Sequence, residues 1–178
     1  MGARTLELFQ KIRDAQKSAG DVAWGGVIMD LRREPQAQVL WHAETEQLCL
    51  MIPAGEARTA VYGPYARLTP GRYRAEFKLW LDAAPPHGRD LGAVDVFRMA
   101  GGKLGERIFQ AGDFAAGAGC ILDVYFTVVG SSANDVEFRV HTSGHVPLFL
   151  REVVVRDWPP HRVAVEAPRI EKSEAVGA

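Results

Sequence analysis

The sequence predicts an all-β domain, a two-sheet antiparallel β-sandwich of jelly-roll type, with one N-terminal α-helix in front of it. Three observations carry this expectation. From residue 21 onward, apolar residues recur at period two in short runs. The runs are separated by clusters of Gly, Pro, Asn and Asp that carry turn chemistry. No helical pattern intervenes to carry a parallel crossover, so the strands should pair antiparallel and bury their apolar faces as two layers.

The elements follow in chain order. Leu6, Phe9 and Ile12 recur at helical spacing and Ser18-Ala19-Gly20-Asp21 supplies a stop, which predicts a helix within residues 1–20. That helix should pack on the sandwich or on a second copy. Strands are expected at 23–30, 38–43, 46–52, 58–67, 72–82, 92–99, 104–110, 120–129, 135–142 and 148–157. Turns fall at Thr69-Pro70-Gly71, Ala84-Pro85-Pro86-His87-Gly88, Ala100-Gly101-Gly102, Gly130-Ser131-Ser132-Ala133-Asn134 and Ser143-Gly144. Beyond Pro159-Pro160 large apolar residues are few, so 21–165 is expected as the β-sandwich domain and 166–178 as a C-terminal tail.

Composition removes several function classes. A chain of 178 residues with 47% hydrophobic residues can bury a full core. Its 21 basic and 22 acidic residues give a net charge of -1, which supplies no general attraction to nucleic acid or to an anionic membrane. No apolar run approaches the roughly 18 residues of a membrane span, and the N-terminus lacks the apolar stretch of a signal peptide; a cytoplasmic protein without membrane insertion is the expectation. Cys49 and Cys120 each sit inside an apolar run, which predicts two buried free thiols.

Alternation then assigns faces. In the run 73–82, Tyr73, Ala75, Phe77, Leu79 and Leu81 take the core phase, and Glu76, Lys78 and Trp80 point away from it. In 121–128 the core phase is Leu122, Val124, Phe126 and Val128, leaving Asp123, Tyr125 and Thr127 outside; in 136–141 it is Val136, Phe138 and Val140, leaving Glu137, Arg139 and His141 outside. Flat aromatics among carboxylates, guanidinium and imidazole suit a sugar, whose C–H face lies on a ring while its hydroxyls pair with the polar groups. The candidate ligand-binding residues are therefore Trp80, Tyr125, Glu76, Asp123, Arg139 and His141, with Trp41, Tyr62 and Tyr65 as the next aromatics. The competing reading is a solvated face of cross-strand ion pairs, its aromatics covered by a loop or by the helix.

The segment Val61-Tyr62-Gly63-Pro64-Tyr65-Ala66-Arg67-Leu68-Thr69-Pro70-Gly71-Arg72-Tyr73-Arg74-Ala75-Glu76-Phe77 resembles the strand–turn–strand of galactose-binding-like jelly rolls, in which Leu-x-Pro-Gly-x-Tyr leads into an alternating strand. Asn134–Val140 and Leu150–Val155 fit the same architecture, so the resemblance spans roughly 40–158. The chain is similar in particular to the non-catalytic β-sandwich segments attached to bacterial polysaccharide glycosyltransferases. What the resemblance implies is a carbohydrate-binding module with a glycan ligand and no catalytic residues. Structural calcium accompanies many such modules, and Glu44, Glu46 and Asp157 are the acidic residues near the likely chain ends; no dense carboxylate run joins them, and no cofactor is expected.

Signals for chemistry are sparse. His141-x-x-x-His145 falls at a hairpin rather than on a helix, no H-E-x-x-H occurs, and Gly101-Gly102-Lys103-Leu104-Gly105 lacks the spacing of a phosphate loop. No Gly-x-Ser-x-Gly elbow is present. Glu76 and Asp123 could serve a glycosidase only at a separation the sequence does not give. Three readings stand: a glycan-binding module, which predicts an open aromatic groove; a docking or homodimerisation domain of a polysaccharide-synthesis complex, which predicts that the Trp80 and Tyr125 face, or the Leu6, Phe9 and Ile12 stripe, is buried in an interface; and a small sugar-modifying enzyme, which predicts a deep pocket of convergent titratable groups.

Overall fold

The computed structural model describes residues 22–43, 46–82, 88–114 and 119–158. These form twelve strands and two single 3-10 turns, at Ile28–Asp30 and Ala111–Asp113. The strands are β1 (Val22–Val27), β2 (Arg32–Arg33), β3 (Gln38–His42), β4 (Gln47–Ile52), β5 (Arg58–Tyr62), β6 (Pro64–Leu68), β7 (Gly71–Trp80), β8 (Asp90–Arg98), β9 (Gly102–Gln110), β10 (Cys120–Val128), β11 (Ala133–Thr142) and β12 (Leu148–Asp157). Each predicted run has its strand. The run 58–67 divides at Gly63 into β5 and β6, and the two-residue β2 has no counterpart among the predicted runs, being too short for a period to register. The helix predicted within 1–20, its Leu6, Phe9 and Ile12, and the tail 166–178 lie outside the described residues.

Two six-stranded antiparallel sheets share one plan. The first runs β10-β7-β12-β4-β3, with β1 on the far half of β12; the second runs β9-β8-β11-β5-β2, with β6 on the far half of β11. Each is thus centred on a ten-residue strand, flanked on one side by a long strand and on the other by two short strands end to end.

The facing sides supply the core. Phe77, Leu79, Leu122, Val124 and Phe126 of the first sheet meet Val96, Phe109, Val136, Phe138 and Val140 of the second, all buried. Removing each large side chain from water contributes about 1.5–3 kcal/mol, which is why the large apolar residues keep the inward phase through Tyr73–Leu79 of β7, Leu122–Val128 of β10 and Val136–Val140 of β11. Cys49 and Cys120 are buried and not joined in a disulfide, and burial, with Asp113 adding repulsion, pushes the Cys120 thiol up to about 12.

At one edge the two sheets close on each other. Gly105 of β9 packs on the backbone of β10 so tightly that a Cβ there would lie 2.7 Å from the Tyr125 carbonyl oxygen and 2.9 Å from Val124 Cγ1. Only glycine allows that approach, and it brings Leu104 beside the C-terminal end of β10.

Candidate functional site

Beside this closed edge an open cleft of about 570 Å³ runs along the end of the first sheet. Its walls are Arg72, Leu104, Tyr125, Thr127 and Trp158, over the buried Tyr73 and Phe126. Register explains the assembly. Thr127 lies opposite Arg72, Tyr125 opposite Arg74, and Arg74 opposite Arg156, while the Trp158 N–H donates to the Arg72 carbonyl at 2.8 Å just past the end of β12. Strand pairing therefore places Tyr125 and Trp158 on the same side of β7, with ring centroids 5.2 Å apart at an interplanar angle of 60°. The Tyr125 ring stays half exposed, at 50%.

The next rows of the same face carry charge. Arg74 Nη2 donates to Glu76 Oε1, and Arg156 Nε donates to the same oxygen at 3.0 Å, so one buried carboxylate holds two guanidinium groups. Burial opposes the Arg74 charge, yet Glu76, Asp123 and Tyr125 together hold it above the ordinary arginine value. The Arg74 guanidinium also sits 5.7 Å from the Trp158 ring centroid, a cation–π contact. Asp123 is directly opposite Glu76 in register, and its Oδ1 is buried without a hydrogen-bond partner among the described residues.

The six residues expected from alternation do point away from the core, but they occupy two outward faces. Glu76, Asp123, Tyr125 and Trp80 are on β7 and β10 of the first sheet; Arg139 and His141 are on β11 of the second. They cannot share one ligand. Alternation fixes inward against outward, whereas the choice of sheet is made by long-range pairing. Trp80 is also separated from Tyr125: it lies six residues along β7 from Arg74, about 20 Å at strand rise. Its ring packs edge-on to His42 at 5.8 Å and its Nε1 is buried without a hydrogen-bond partner among the described residues, so it closes off the far end of the face instead of offering a platform.

On the outward face of the second sheet Arg139 and His141 close over Asp95, which has 0% exposure. Arg139 Nε and Nη2 donate to Asp95 Oδ1 and Oδ2, each at 2.7 Å, and the guanidinium carbon stacks 3.9 Å above the Phe97 ring centroid. His141 Nε2 lies 3.1 Å from Asp95 Oδ2 and its Nδ1 2.9 Å from Thr59 Oγ1. Because the carboxylate only accepts, a neutral His141 ring donates from Nε2 and accepts a hydrogen bond from the Thr59 hydroxyl at Nδ1. Burial raises the Asp95 carboxyl, but the Arg139 and His141 hydrogen bonds outweigh it and hold the group below the usual carboxylate range.

Reading alternation alone missed Trp158, Arg72 and Asp95. Trp158 follows the last residue of the closing strand, next to Pro159, where periodicity ends. Arg72 is the unspecified position of Leu68-Thr69-Pro70-Gly71-Arg72-Tyr73. Asp95 had a readable signal, a lone carboxylate between Val94 and Val96. Among the described residues no group of three or more His, Cys, Asp or Glu converges to hold a metal, and Glu44 lies outside them.

No family model matches the sequence, and no curated protein matches it. Solved structures do match the fold. The C-terminal family 6 carbohydrate-binding module of a marine laminarinase from Zobellia galactanivorans superposes with a TM-score of 0.51 at 12% identity, covering 75% of this chain and 98% of that one. A carbohydrate-binding module of Cellvibrio mixtus lichenase 5A, in complex with cellotriose, gives 0.50 at 14% identity over 76% and 98% of the two chains. The family 27 module 27-1 of Caldicellulosiruptor saccharolyticus, in complex with mannohexaose, gives 0.51 at 11% identity over 74% and 92%. The chain therefore has the β-sandwich fold that carbohydrate-binding modules use.

Proposed function

We propose that this domain is a non-catalytic carbohydrate-binding module whose ligand lies in the Tyr125–Trp158 cleft. One observation carries the reading: a half-exposed tyrosine and a tryptophan border an open cleft whose rim also offers the Thr127 hydroxyl and the Arg72 guanidinium. A pyranose stacks its C–H face on such rings and spends its hydroxyls on such donors and acceptors. The fold neighbours support it, two of them being complexes with cellotriose and mannohexaose. Catalysis by the Glu76 and Asp123 pair has less support, because Glu76 is already engaged by Arg74 and Arg156 and both carboxylates lie in the ladder beyond the cleft walls. The finer expectation of a module serving bacterial polysaccharide synthesis rests on the sequence resemblance alone, and the cytoplasmic location only on the apolar pattern of the sequence.

The test is calorimetric titration of the protein with a panel of neutral and acidic oligosaccharides. Each polar contact replaces one with water, so dissociation constants from micromolar to millimolar, about 4–8 kcal/mol, are expected. Tyr125→Ala and Trp158→Ala should each weaken binding about tenfold or more, and Trp80→Ala should leave it intact. Binding that survives both cleft substitutions would move the site elsewhere; no binding to any oligosaccharide would reject the reading.

A further inference from the structure

We infer that the glycan is anionic, carrying a carboxylate or an ester sulfate that pairs with Arg72; the inference rests on the cleft being the glycan site. Three adjacent rows of this face differ in how their charges are balanced. Arg74 and Arg156 are both committed to Glu76, and Arg74 also feels Asp123, so the second and third rows are balanced within themselves. Arg72 is different. It is exposed, it has no ion-pair partner among the described residues, and no carboxylate lines the cleft it borders; Asp157, one residue before Trp158, is not part of the lining.

The placement suits an acidic sugar. Thr127 stands opposite Arg72 across the β10–β7 ladder, and Trp158 is tied to the Arg72 backbone by its N–H. A ring stacked on Tyr125 or Trp158 thus has a planar, permanently charged fork and a hydroxyl beside it. A guanidinium meets carboxylate or sulfate oxygens through two parallel hydrogen bonds, which a neutral hydroxyl cannot reciprocate. The neighbouring Arg74 and Arg156 cannot substitute, since Glu76 occupies them.

The experiment titrates the protein with tetragalacturonate, with its carboxyl-reduced galactotetraose, and with a κ-carrageenan tetrasaccharide and its desulfated form. At least one anionic probe should bind about tenfold more tightly than its neutral counterpart, and the excess should shrink in about 0.5 M NaCl. Which pair shows the preference tells carboxylate from sulfate. Arg72→Gln should erase the preference, so that the two members of each probe pair bind equally whatever the variant does to their shared affinity, whereas Tyr125→Ala should weaken every probe alike and keep the preference; melting curves confirm that both variants fold. Neutral probes binding as tightly as the anionic ones, or a preference that survives Arg72→Gln, overturns the inference and leaves the glycan reading standing. If no probe binds, the glycan reading fails and this inference falls with it.

Discussion

The two outward faces are built on the same six-strand plan and carry similar residues, yet they do opposite things with them. On the second sheet Asp95, Arg139, His141 and Thr59 consume one another's hydrogen-bonding capacity across β8, β11 and β5. On the first, Glu76 satisfies two arginines but Arg72, Thr127 and the Tyr125 ring are left facing solvent at a cleft. A closed polar network contributes to the fold, and an open one is available to a ligand. Exposed polar residues on a sheet are therefore no guide to function until their partners are counted.

The largest effect that would separate the faces comes from Asp95. Asp95→Ala leaves Arg139 and His141 without their carboxylate in a half-buried position, and should lower unfolding free energy by about 3 kcal/mol in denaturant melts while leaving glycan affinity unchanged. A loss below about 1 kcal/mol would show that Arg139 simply turns to solvent, and the network would not be the structural half of the comparison. Acid gives a second view of the same group. Its folded value is depressed, so its contribution is complete above the ordinary carboxylate value near 4 and fades as pH falls through the lower folded value. Wild-type protein should lose stability below about pH 4 more steeply than Asp95→Asn, by up to one proton in slope. Arg139, His141, Lys103 and Glu106 are the charged or titratable groups facing it, and equal slopes would mean that other carboxylates dominate acid unfolding.

Gly105 sits where the faces meet. Gly105→Ala must push β9 away from the Tyr125 carbonyl, so it should cost about 1–3 kcal/mol and, unlike Asp95→Ala, should also weaken glycan binding by moving Leu104 and β10. Unchanged binding in a destabilised variant would show that the cleft does not depend on this contact.

Much of this architecture was legible as period-two runs broken by turns, because burial of Phe77, Leu122 or Phe138 on one side is a strong local constraint. The site was legible only in part. Tyr125 stood out as an aromatic in an outward phase, and so did Trp80, yet their different fates follow from register: Tyr125 is paired with Arg74 next to Trp158, and Trp80 is paired with Phe149 next to His42. Likewise Arg139 and Tyr125 share a phase but not a sheet. Such facts are set by contacts between residues from 33 positions apart (Tyr125 and Trp158) to 69 (Trp80 and Phe149), for which a single sequence holds no local signal. Tyr125→Ala measures the consequence directly. Losing the half-exposed ring should reduce glycan affinity about tenfold to a hundredfold, with less than about 1 kcal/mol of stability lost.

The smallest expected effect tests how separate the faces are. Lys103 neighbours the cleft residue Leu104 in sequence, but its ammonium pairs with Glu106 and stands 4.0 Å from Asp95, on the closed side. Nearly half of its side chain is in solvent, so screening and side-chain entropy leave these ion pairs a net value of about 0.5 kcal/mol or less. Lys103→Ala should therefore shift the melting midpoint only slightly and leave every glycan affinity, anionic ones included, as in the wild type. A drop in anionic-glycan affinity comparable to that of Arg72→Gln would mean that long-range field, and not the paired geometry at Arg72, attracts the ligand, and the division between a closed and an open face would no longer describe how the protein uses its charge.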